Sequence, residues 1–99
     1  MKLEELQGLG VFVNAEPVKK KVKIGEAEIE VGIERLSFAE AYKIREDEKR
    51  IFPAALIARC LVFDGGERMS YAQACKLDSA AFGALIDAIG EVNNTAPKS

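Results

Sequence analysis

The chain has 99 residues, enough for one domain. At 48% hydrophobic and 30% charged it can build a single core, which excludes a chain disordered by composition. A net charge of -2 gives no bulk attraction to nucleic acid or anionic lipid, and the lack of any histidine removes Ser-His and Cys-His nucleophile pairs, histidine bases and histidine metal sites together.

The acids Glu4 and Glu5 stand where an export signal would be apolar, so no such signal is expected. Nor does any apolar run approach the ~20 residues of a membrane span. Leu3 to Gln7 reads as one helical turn stopped by Gly8 and Gly10. Val11 to Pro17 is an apolar stretch that breaks at the Pro and reads as a short extended or irregular lead-in.

Val18 to Ile33 alternates with period two about Gly25-Glu26, a pair suited to a type II′ hairpin. That turn sets Ile24 against Ala27, Val22 against Ile29 and Val18 against Ile33. The same register sets Lys23 against Glu28 and Lys21 against Glu30. Apolar residues thus meet apolar ones and lysines meet glutamates, which specifies register more than stability.

Ser37-Phe38-Ala39-Glu40 is a capping box that opens a helix at Phe38, with Phe38, Ala41, Tyr42 and Ile44 as its apolar positions. Arg45 to Arg50 carries only charge and reads as a solvated helix end or a mobile linker. Pro53 suits the first turn of a helix running through Phe63, apolar nearly all round apart from Arg59. Gly65 can take the left-handed conformation that ends it.

Ser70-Tyr71-Ala72-Gln73 is a second capping box, opening a short helix through Leu77. Asp78 or Ser79 caps a last helix with the stripe Phe82, Leu85, Ile86, Ile89 and Val92. Gly83 inside it predicts a close approach by another element. The expected fold is α+β: an N-terminal antiparallel β-hairpin followed by three to four α-helices packed on one face. The expected organisation is one domain over 1–92 and a flexible polar tail over 93–99.

Chemistry-bearing constellations are scarce. Cys60 and Cys75 are too few for a zinc site and read as structural thiols. Asp64 and Glu67 flank a glycine turn but lack calcium-loop spacing. No phosphate loop or nucleophile elbow is present. These observations point to a binding or assembly protein, with no catalytic residue, no cofactor and no metal site expected. The runner-up is a small regulatory or nucleic-acid-binding protein that uses the basic strand Lys19 to Lys23.

Several segments in order resemble the tail assembly chaperones of long-tailed bacteriophages. They are Met1-Lys2-Leu3 with Leu6, Gly10 and Phe12; Pro17-Val18; Arg35-Leu36-Ser37-Phe38; and Leu56-Ile57-Ala58-Arg59-Cys60 with Asp64-Gly65-Gly66. Met69-Ser70-Tyr71-Ala72-Gln73-Ala74, Leu77 and Leu85 to Asn93 complete the series, so almost the whole chain is covered. The charged stretch Arg45 to Arg50, and Lys23-Ile24 where an aromatic is expected, depart from the pattern.

The resemblance implies a non-enzymatic chaperone that keeps the tape-measure protein soluble until tube subunits polymerise around it. It further implies self-association, a place in the host cytoplasm, absence from the mature virion, and no nucleic-acid or membrane partner. A longer frameshifted form that recruits the tail-tube protein is associated with the family. Ala96-Pro97-Lys98 can be encoded as GCC-CCA-AAA, which contains a minus-one slippery heptamer. The residues expected to touch the tape measure or a neighbouring chaperone are Val11, Phe12, Phe52 and Tyr71.

Overall fold

The structure is a computed structural model that describes residues 1–10 and 16–93. It is an α+β fold in which a three-stranded antiparallel sheet, ordered β1-β2-β3, packs against helices. In chain order the elements are α1 (Leu3–Gly8), β1 (Val18–Ile24), β2 (Ala27–Ile33), α2 (Phe38–Glu46) and α3 (Phe52–Cys60). They are followed by β3 (Leu61–Val62), a 3-10 turn (Asp64–Gly66), α4 (Tyr71–Cys75) and α5 (Ser79–Asn93).

The hairpin takes the expected register, with Lys21 opposite Glu30 and Lys23 opposite Glu28. Gly25 has φ 62° and no other residue type among the described residues has positive φ, as a type II′ turn requires. The ion pair across the strands is diagonal: Lys19 Nζ, and not the directly opposed Lys21, lies 4.0 Å from Glu30. Along β1 the side chains alternate between an outer solvated face and an inner face with Val22 buried and Ile24 half-buried. Lys20 shares the inner side and reaches the edge of α5, where its ammonium meets Glu91 at 2.5 Å.

The core lies between sheet, α3 and α5. Ile33, Ile57, Leu61, Cys60 and Ile89 are its largest fully buried side chains. Burying each large aliphatic among them is worth about 1.5–3 kcal/mol. The stripe expected on the last helix does face this core: Leu85, Ile89 and Val92 are buried, with Phe82 and Ile86 packed at its margin. Asp78 is the cap, its Oδ2 accepting from the backbone N–H of Ala80 and Ala81.

Four expectations need correction. The central helix stops at Cys60, three residues early, because Leu61 and Val62 extend into β3 and pair with Ile33 and Gly32. That pairing satisfies the open edge of β2 and leaves Leu61 fully buried, gains a further helical turn would forgo. Gly83 has open space where a Cβ would stand, so no element approaches it closely. The close approach is at Gly32, where a Cβ would lie 3.1 Å from the Pro17 Cβ and 3.3 Å from the Val62 carbonyl oxygen.

The third correction concerns the cysteines, both free: Cys60 is buried, while Cys75 is exposed on α4. Last, α2 contributes no buried residue, and Phe38 and Tyr42, expected on its core face, are 85% and 55% exposed. Its inward arc carries Glu40, Ala41 and Ile44 instead, because a charged partner waits there.

Candidate partner-binding surface

α2 begins where expected, Ser37 Oγ accepting from the Glu40 backbone N–H at 3.3 Å. The Glu40 carboxylate is drawn to Arg59 Nη2 on α3, at 2.5 Å. Arg59 also donates to Glu34 Oε1 at 3.3 Å, and Arg68 donates both to Glu34 and to the Arg59 carbonyl oxygen. Two arginines and two glutamates therefore join the end of β2, α2, α3 and the approach to α4. Arg59 holds the Glu40 carboxyl below its usual range, chiefly by this hydrogen bond, and Glu40 raises Arg59 in turn. Beside the network, burial pushes the Cys60 thiol up to about 11, which leaves it neutral and unreactive at pH 7.

This anchoring turns the opposite arc of α2 outward. Phe38 and Tyr42, four residues apart, stand side by side with ring centroids 6.1 Å apart and planes tilted by 32°. Ile51, just beyond the helix, is 61% exposed. Paired aromatics left in water on a helix that buries nothing are the most conspicuous apolar feature of the described surface.

Phe52 and Tyr71 are both half-buried and lie beside Ile51, each under an arginine of the charged stretch. The Arg45 guanidinium is 5.6 Å from the Phe52 ring centroid, and that of Arg50 is 5.1 Å from the centroid of Tyr71. The Ile51 backbone N–H donates to the Tyr71 hydroxyl at 2.8 Å, tying the loop after α2 to the start of α4. Val11 and Phe12 lie outside the described residues.

Phe38 and Tyr42 were missed as surface candidates because they read as the apolar stripe of an amphipathic helix. A signal was present: on a nine-residue helix with four charged positions, the arc opposite them holds Glu40.

Among the described residues no three His, Cys, Asp or Glu side chains cluster to hold a metal, Asp64 and Glu67 included. No helix of the described residues is long and apolar enough to cross a membrane. The lysines of β1 form no continuous basic face, since Glu28 and Glu30 run beside the outer ones and Lys20 turns to Glu91.

The described surface thus combines a small α+β body, an ionically anchored helix and an outward aromatic pair. The family model described as phage tail assembly chaperone, TAC, matches residues 4–93, and the chain belongs to that family. No curated protein and no solved structure matches it significantly.

Proposed function

We propose that this tail assembly chaperone acts without enzymatic chemistry by binding the phage tape-measure protein and keeping it soluble during tail morphogenesis. The observation that carries the reading is the outward pair Phe38–Tyr42 on a helix that buries none of its own residues. A long helical client exposes apolar stripes, and a shallow aromatic face covers such a stripe reversibly. Many copies along one client convert weak single contacts into strong retention, so self-association of the chaperone fits the same scheme.

The working place is the host cytoplasm, and the chaperone leaves before the virion matures. Phe52 and Tyr71, together with Val11 and Phe12, extend the contact surface. Recruitment of the tail-tube protein falls to a longer frameshifted form, for which the codons of Ala96-Pro97-Lys98 supply the slippery site.

Co-expression with the tape-measure protein tests the reading. The variant carrying Phe38→Ser and Tyr42→Ser, shown by circular dichroism to be folded, is expected to lose most co-purification and to leave the client insoluble. Undiminished retention by that double variant, and by Phe52→Ser and Tyr71→Ser, overturns it.

A further inference from the structure

α2 and α4 start from the same local signature and resolve it differently. At α4 the capping box is closed on both sides: Gln73 N–H donates to Ser70 Oγ at 3.1 Å, and Ser70 N–H donates to Gln73 Oε1 at 2.9 Å. At α2 the first of these bonds is present, but the Glu40 carboxylate accepts its short hydrogen bond from Arg59 across the gap to α3. The Ser37 backbone N–H and hydroxyl also favour the charged form of the same carboxylate through hydrogen bonding, more weakly than Arg59 does. Glu40 thus stands between two partners, one on its own helix and one on the body of the protein.

The rest of the attachment is slight. No residue of α2 is buried, and Ala41 and Ile44 are only half-covered. A second tether is Arg45 over the Phe52 ring, a contact near the surface. Residues 34–37 and 47–51, on either side, form neither helix nor strand. By contrast the ends of these linkers are pinned. Leu36 N–H donates to Asn93 Oδ1 at 2.8 Å, and Ile51 N–H donates to the Tyr71 hydroxyl.

We propose that α2 is a latched helix: the Glu40–Arg59 ion pair holds it against α3, and when that pair opens Glu40 keeps only its contacts with Ser37, so that α2 swings off α3 between its two pinned linkers and its turns open more often. The contacts that remain with Ser37 keep the carboxylate from being left wholly without a partner, which keeps both states accessible. The inference stands on how α2 is anchored and holds whichever partner covers Phe38 and Tyr42.

Amide hydrogen exchange followed by NMR on the full chain tests it. In the wild-type protein the amides of Tyr42 to Glu46 exchange faster than those of Ile89 to Val92. Glu40→Gln keeps a capping side chain, as Gln73 does at α4, but weakens the latch. It is expected to speed exchange in α2 roughly two- to fivefold, the range of a surface ion pair, with α5 unchanged and the helical chemical shifts of α2 retained. Salt at about 1 M brings wild-type α2 to the rate of the variant. Combining Glu40→Gln with Arg59→Gln adds no further acceleration beyond the larger single effect.

Protection in wild-type α2 equal to that in α5, no response to Glu40→Gln, or loss of helical shifts in that variant each overturns the latch. Should Arg59→Gln fail to fold, Glu40→Gln and the salt series decide alone.

Discussion

α5 and α2 are both amphipathic helices, and they serve opposite ends. α5 spans 15 residues and buries Leu85, Ala88, Ile89 and Val92 against the sheet and α3. α2 spans nine and buries none, turning Phe38 and Tyr42 to solvent while a carboxylate faces inward. The difference teaches that an apolar stripe states only that one side of a helix differs from the other. Which side is the inside depends on what the neighbouring element offers. The sheet offers α5 Val22, Val31 and Ile33, whereas the last turn of α3 offers α2 the charge of Arg59.

The contrast breaks first on stability. Ile57→Ala, in the fully buried core, is expected to destabilise by about 2–5 kcal/mol, while Phe38→Ala stays within about 0.5 kcal/mol. Urea unfolding of both variants checks this. A loss at Phe38 approaching that at Ile57 would mean that α2 packs inward in solution.

A smaller effect compares two glycines. Gly32→Ala drives a methyl against Pro17 and the Val62 carbonyl and is expected to destabilise by about 1–3 kcal/mol. Gly83→Ala has open space in a helix interior and is expected to stabilise by about 0.4–1 kcal/mol. Thermal melts that gave both variants the same sign would show that the sheet and α5 differ less than described.

The smallest effect is in pH. The carboxyl of Glu40 titrates lower in the fold than in the unfolded chain, because Arg59 favours its charged form. Its contribution is therefore complete above the ordinary carboxylate value of 4.5 and is lost as pH falls through the lower folded value. On acidification, protection of the α2 amides is expected to decline before that of the Ile89 to Val92 amides, as measured by hydrogen exchange. Simultaneous loss would merge the two regions into one cooperative unit.

Much of the fold was legible because its signals are local. Period-two alternation about Gly25 determined the hairpin and its register, Ser70 with Gln73 a complete capping box, and Asp78 with the stripe from Phe82 to Val92 the last helix. Less of the candidate surface was legible. Phe52 and Tyr71 were singled out, but each lies under an arginine from a stretch that reads as solvated charge. Phe38 and Tyr42 carry the same pattern whether they face in or out.

By itself the sequence determined the two hairpin strands, the caps and the helical stripes, since each depends on residues within about four positions of one another or on one tight turn. Tertiary structure alone decided the third strand and the orientation of α2. Leu61 and Val62 leave the helix only because the edge of β2 stands beside them, and α2 turns its aromatics outward only because Arg59, nineteen residues from Glu40, claims that carboxylate. Both outcomes rest on partners distant in the chain, whose backbone edge and charge outweigh the small differences in local propensity.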